Sequence, residues 1–158
     1  MILLAAAFLA GDFWTWDVTL RYDDAEGPLL VERERWSVRI GQKQAVKAER
    51  LYLGSIVDGT LIPSSADPES LKGEVTKDGT LSLKGDWSDP DTAQAFRKLL
   101  KGDKSLPERI PNWPVLRRGT LVDPKAHLPG SGLPARLTIE VILSEARLGG
   151  QDIKPLAK

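Results

Sequence analysis

The 158 residues contain no cysteine, which removes disulfide staples, thiol nucleophiles and thiolate metal ligands together. Histidine is nearly absent too: His127 is the single copy, so imidazole chemistry has one candidate. Charge of one sign is not in excess, since 22 Lys and Arg balance 22 Asp and Glu. A protein that grips nucleic acid by neutralising phosphates carries a basic surplus, so no nucleic-acid partner is expected. No apolar run reaches the roughly 18 residues that cross a bilayer, and no transmembrane span is expected. Neither a Gly-x-Ser-x-Gly elbow nor a phosphate-cradling glycine loop is present. The sequence implies no cofactor and no metal.

What is there suits one folded domain. Hydrophobic residues make up 41% and charged residues 28%, too apolar for a disordered chain. A chain of this length buries roughly two-thirds of the surface that its unfolded form exposes.

Residues Ile2 to Ala10 are all Ile, Leu, Ala or Phe, with neither a period of two nor a polar face. Such a run matches the centre of a secretory signal, with small residues for cleavage at Ala7 or Ala10. Residues 1–11 are therefore expected to be the remnant of an export signal, placing the protein in the periplasm or outside the cell. The positive residues that precede such a segment are missing, and Asp12 stands where a lipoprotein would need cysteine. The competing expectation is a first strand or buried helix in a cytoplasmic protein.

From Phe13 the pattern alternates. Trp14, Trp16, Val18, Leu20 and Tyr22 share one parity, as a half-buried strand requires. Asp23 to Pro28 has the composition of a turn. Leu30, Trp36, Val38 and Ile40 then share parity on a second strand. Pairing Tyr22 with Leu30 sets Trp16 against Trp36 and Trp14 against Val38, and brings Asp17 to Arg35 on the outer face. A slip of one residue would break both faces at once, so this register is the expected one. Lys77-Asp78-Gly79 predicts a second hairpin, with three residues in the loop, Val75 facing Leu81, Gly73 facing Leu83 and Gly79 left-handed. Val57-Asp58-Gly59 reads as the same device between strands near 48–57 and 60–63.

One helix is expected over 90–101. Asp89 can cap it, Pro90 fits its first turn, Gly102 can close it, and Ala93, Phe96, Leu99 and Leu100 form its apolar stripe. Residues 103–134 carry Pro107, Pro111, Pro114, Pro124, Pro129 and Pro134, and read as a stiff connection with one short strand near Val115–Val122. Leu137, Ile139, Val141 and Leu143 mark a last long strand. The apolar parity switches after it to Ala146 and Leu148, which predicts a bulge at Ser144. Residues 149–158 read as a loose tail.

The sum is a mainly β, single-domain antiparallel meander over residues 12–148. Its seven or eight strands are expected to close into a small barrel, with a two-layer sandwich as the alternative. The hairpins and late helix loosely resemble a lipocalin in architecture. Where lipocalins carry Gly-x-Trp on the first strand, two residues separate Gly11 from Trp14 here, and nothing beyond architecture carries over.

Candidate chemistry is sparse. Asp123 and His127 are four apart in a proline-flanked segment, which predicts a solvated loop histidine. Asp23, Asp24 and Glu26, or Asp89 and Asp91, lack the spacing of a calcium loop. Trp87 and Trp113 are expected to pack against each other. Glu32 and Glu34 break the pattern, because they share parity with Trp36 and point to the expected core. Either that end of the hairpin stands in solvent, or Trp16, Tyr22, Glu32, Glu34 and Trp36 line the mouth of a cavity. The second arrangement suits a small apolar or cationic ligand. The expected function is thus a non-enzymatic, exported or envelope-associated domain that binds such a ligand or an envelope protein. The alternatives are an interaction module with a filled core and, last, a carboxylate-dependent hydrolase.

Overall fold

The computed structural model describes residues 8–85, 87–100 and 108–155. Among these residues nine strands and one α-helix follow in chain order: β1 (Phe13–Asp24), β2 (Gly27–Ile40), β3 (Ala45–Val57), β4 (Thr60–Pro63), β5 (Glu69–Val75), β6 (Leu81–Lys84), α1 (Pro90–Leu100), β7 (Arg118–His127), β8 (Pro134–Leu148) and β9 (Gln151–Ile153). They form one antiparallel sheet in the order β6-β5-β3-β2-β1-β8-β7, with β4 added to β3 and β9 to β8. The terminal strands β6 and β7 do not pair, so the sheet stops at a half-barrel.

The helix takes up the concave side. Phe96 from α1 meets the rings of Trp16 at 6.2 Å, Trp36 at 5.7 Å and Trp87 at 4.3 Å. Each large aromatic removed from water contributes gross burial on the order of 4–6 kcal/mol, so this cluster is the centre of the fold. Trp16 also satisfies its own polar atom, donating from Nε1 to the Leu116 carbonyl at 2.7 Å. A helix of three turns does not persist alone, and here the stripe of Ala93, Phe96, Leu99 and Leu100 is buried. Asp89 caps it, accepting from Asp91 N at 3.0 Å, Thr92 N at 3.4 Å and Thr92 Oγ1 at 2.8 Å.

The β1–β2 register is the expected one, with Tyr22 against Leu30, Trp16 against Trp36, Trp14 against Val38 and Asp17 against Arg35. Val75 likewise faces Leu81 and Gly73 faces Leu83, and Gly79 adopts φ +85°. The bulge falls on Ser144: Trp16 pairs with Leu143 and Thr15 with Glu145, while Ser144 Oγ donates to the Thr15 carbonyl at 3.1 Å.

Four features differ from the sequence reading. Val57 pairs directly with Thr60, so Asp58-Gly59 is a two-residue turn with both φ positive, not a three-residue loop. The proline-rich connection holds a ten-residue strand, β7, that reaches His127. Pro124 is tolerated because β7 is an edge strand and its register slips between Asp123 and Ala126. The tail is tied down where β9 pairs with β8. Trp87 packs on Trp36 at 5.7 Å, whereas Trp113 packs on Phe8 at 5.3 Å, so the two indoles take different ring neighbours.

Of the expected export segment, residues 1–7 lie outside the described residues. Phe8 is buried and stacks on Trp14 at 5.4 Å. Gly11 N bonds the Ile40 carbonyl at 2.9 Å, so the chain from Phe8 onward packs with the domain. The expected helix close at Gly102 also lies outside the described residues. No helix among the described residues is long and apolar enough to cross a membrane.

Candidate functional site

The concave face is divided by chemistry. One end, around Phe8, Trp14, Val38, Ile40, Val46 and Leu148, is apolar. Toward the other end the inward positions of β1, β2 and β3 become Tyr22, Glu32, Glu34, Arg50 and Tyr52. The first fact to explain is how this face carries carboxylates at all. Glu34 is 0% exposed, and burying a lone carboxylate is prohibitive without a partner.

Arg50 is that partner. Its Nε donates to Glu34 Oε1 at 2.6 Å and its Nη2 to Oε2 at 2.6 Å, a bidentate fork. Trp36 Nε1 adds a bond to Glu34 Oε1 at 3.0 Å. The remaining arm, Arg50 Nη1, reaches Glu69 Oε2 at 3.0 Å, and Glu69 Oε1 accepts from Ser88 N at 3.2 Å. Burial works against the Arg50 charge, but the hydrogen bonds and charge of Glu34 outweigh it, so the guanidinium is held more firmly protonated than usual. Burial likewise opposes the charge on Glu69, and Ser88 and Arg50 overcome it, leaving its pKa below the usual value.

A second bulge aims these groups. Glu34 pairs with Tyr52 but Arg33 pairs with Gly54, so β3 carries an extra residue and its parity changes beyond Tyr52. Gly54 is required there. Its φ is +142°, and a Cβ would lie 2.0 Å from the Ile62 carbonyl oxygen of β4.

Glu32 differs from Glu34. It is 9% exposed and has no ion-pair partner among the described residues. The side chain that offers it a hydrogen bond is Tyr52, whose hydroxyl also pairs with Ser55 Oγ at 2.9 Å. Burial first, then the charge of Glu34, pushes the Glu32 carboxyl up to about 7, which Arg50 only partly offsets. Tyr22, diagonal to Glu32 across the β1–β2 ladder, is 1% exposed. Burial, and then the charges of Asp89, Glu32, Glu34 and Asp91, hold its proton on well beyond the usual phenol range.

Above Glu32 lies a cavity of about 750 Å³. Arg50, Tyr52 and Glu69 line one wall, the start of α1 with Asp89, Pro90 and Asp91 another, and the β7–β8 turn with His127, Leu128 and Pro129 a third. His127 N donates to Asp91 Oδ2 at 3.2 Å, fastening that turn to the helix. A second, more open depression of about 870 Å³ lies against the β1–β2 turn, where Arg21 and Asp23 pair with each other at 3.0 Å.

The five candidate residues from the sequence therefore separate. Glu32 lines the cavity, and Tyr22 and Glu34 lie beneath it. Trp16 and Trp36 are core residues around Phe96 and do not reach it, because α1 covers them. Both carboxylates are buried, although the hairpin end beyond them, from Asp24 to Leu29, is largely exposed. Sequence reasoning missed Arg50, Tyr52 and Glu69. A signal existed: Val46, Ala48, Arg50 and Tyr52 share one parity, so carrying the ladder from β2 to β3 would have brought a cation beside Glu34.

Other candidates resolve into structure. Asp24 Oδ1 accepts from Glu26 N at 2.8 Å in the β1–β2 turn. His127 is exposed, at the end of β7 on the cavity rim rather than in a loop. Among the described residues no three His, Asp or Glu side chains converge as metal ligands do. Comparison with known proteins returns no matching family model, no matching curated protein and no matching solved structure.

Proposed function

We propose that this chain is a small-molecule-binding half-barrel whose ligand sits in the cleft above Glu32. The observation that carries the reading is a nine-tenths-buried carboxyl facing a cavity of about 750 Å³ without a cation of its own. That volume falls within the range of small-molecule sites, and convergent polar groups between apolar walls are their usual lining. Paired-carboxylate hydrolysis is poorly served, since Glu34 is sealed under Arg50 and Trp36 and meets no substrate. Binding rather than catalysis is the better reading.

Export to the envelope is part of the proposal, supported by the apolar run Ile2–Ala10. The burial of Phe8 favours cleavage at Ala7 over Ala10, because the later cut removes a core ring. Native mass spectrometry of the chain purified from its own host tests both points. A co-purified small molecule is expected, displaced by filling the cleft with Ala66→Trp, together with an N-terminus at Phe8. A chain that carries nothing, and whose cleft resonances ignore a charge-diverse fragment set, overturns the binding reading.

A second reading, an interaction module, is favoured by the β3–β4 hairpin. Val57, Leu61 and Ile62 are all more than 40% exposed at its end. Leu61→Asp with Ile62→Asp would abolish an association made through that tip while leaving the cleft unchanged.

A further inference from the structure

The charges around the cleft indicate what kind of molecule it takes. Glu32, Asp67, Glu69, Asp89 and Asp91 line it, against Arg50 and the rim histidine His127. Arg50 is matched by Glu34, a carboxylate behind the wall, so its charge is not available to a ligand. Glu69 is held by Arg50 and Ser88 N, and Asp89 by the first turn of α1. Asp91 has one oxygen on the His127 amide. Glu32 is the buried member left without an ion-pair partner among the described residues. An anion entering this cleft would meet a negative field with no cation among the described lining residues free to receive it. The acidic groups do not converge on a point as ligands of a metal ion do, so a cation here is extended and organic. The walls beside Glu32 agree, since Tyr52, Pro90, Leu128 and Pro129 offer apolar surface and one aromatic ring.

We infer that the ligand is an organic cation, an ammonium group on an apolar body, with the ammonium on Glu32 and the body between Tyr52 and Leu128. This rests on the cleft being a ligand site. Glu32 accepts the ammonium N–H bonds, and the buried carboxyl gains the charge partner that the fold withholds from it.

The test is a backbone amide NMR titration of the full chain at pH 8 with three probes of one shape. These are 2-phenylethylamine, the neutral 2-phenylethanol and the anionic phenylacetate. The amine is expected to shift resonances around Glu32, Tyr52 and Leu128 and to bind at least about tenfold tighter than the alcohol, with phenylacetate silent. Glu32→Gln, which keeps the shape of the side chain, is expected to remove that preference while retaining the dispersion of the spectrum. Equal binding of amine and alcohol in the unaltered chain overturns the cation assignment and leaves the cleft reading standing. So does a preference that survives Glu32→Gln. If none of the three probes moves a cleft resonance, both readings fall.

Discussion

Arg50 clasps Glu34 through two hydrogen bonds of 2.6 Å, joining β3 to β2 on the concave face where Glu34 has no contact with water. Removing one partner of such a buried pair leaves an uncompensated charge, which typically costs about 3–5 kcal/mol. Replacing both partners by apolar groups of similar shape is often close to neutral. Arg50→Met is therefore expected to destabilise by about 3–5 kcal/mol in denaturant unfolding. Adding Glu34→Leu to it is expected to recover more than half of that loss. If the double variant is as unstable as the single one, the pair is not isolated by burial. The exposed pair of Asp17 and Arg35, at 3.7 Å, is the control, and Asp17→Ala should cost no more than about 1 kcal/mol.

Glu32 leads to the opposite sign. Its carboxyl is pushed from the usual 4.5 to about 7, mainly by burial. Below pH 4.5 the group is protonated in both the folded and unfolded chain and carries no penalty. Between 4.5 and 7 the unfolded chain releases the proton that the folded chain keeps, so its contribution to stability falls as pH rises, and it levels off above 7. Allowing for its contact with the open cleft, the loss is about 2 kcal/mol. Glu32→Gln is therefore expected to be more stable than the unaltered chain by about that amount at pH 8, and little different at pH 4. Unfolding curves for both at the two pH values give the difference. An advantage that does not change with pH would mean that Glu32 is not the titrating group.

Much of this arrangement could be read from parity. The indole-on-indole pairing of Trp16 and Trp36, the three-residue hairpin before Leu81 and the bulge at Ser144 each follow from a period of two with one interruption. The same rule placed Glu32 and Glu34 on the inner face. It could not supply their surroundings. Arg50 reaches Glu34 across a strand whose pairing begins after a short helical turn at Gln42–Gln44, and no tight hairpin signal marks that connection. The cleft is still less visible from sequence. It forms where α1 and the β7–β8 turn, both distant along the chain, come over β2 and β3. Pro124 concealed β7, because proline argues against a strand unless the strand is known to lie at an edge.

Asp12, which marks the missing lipoprotein cysteine in the sequence, has a structural role. It is 1% exposed and accepts three backbone N–H groups, from Leu9 at 2.7 Å, Gly149 at 2.6 Å and Gly150 at 3.0 Å. The two glycines hold φ of +59° and +77°, which turns their N–H groups onto the carboxylate. Asp12 thereby fastens the entry into β1 to the turn between β8 and β9. Hydrogen bonds to a charged acceptor contribute about 1.5–3 kcal/mol, so Asp12→Ala is expected to cost about 2–3 kcal/mol. Hydrogen exchange should quicken at Gly149 and Gly150 before it does in β2. Unchanged protection there would remove the clasp from the account.

Phe8 determines how much of the N-terminus the domain needs. Its ring lies between Trp14 and Trp113, at 5.4 and 5.3 Å, and is 4% exposed. Truncating a buried phenylalanine to alanine typically costs about 3–5 kcal/mol, because both the transfer energy and the packing of its neighbours are lost. Phe8→Ala is expected to fall in that range. A chain starting at Gly11 should lose at least as much stability as Phe8→Ala. The fluorescence of Trp14 and Trp113 reports the loss, since opening this corner wets both indoles and shifts their emission to the red. If the chain starting at Gly11 unfolds at the same denaturant concentration as the full chain, Phe8 is a passenger, and the argument for cleavage at Ala7 fails with it.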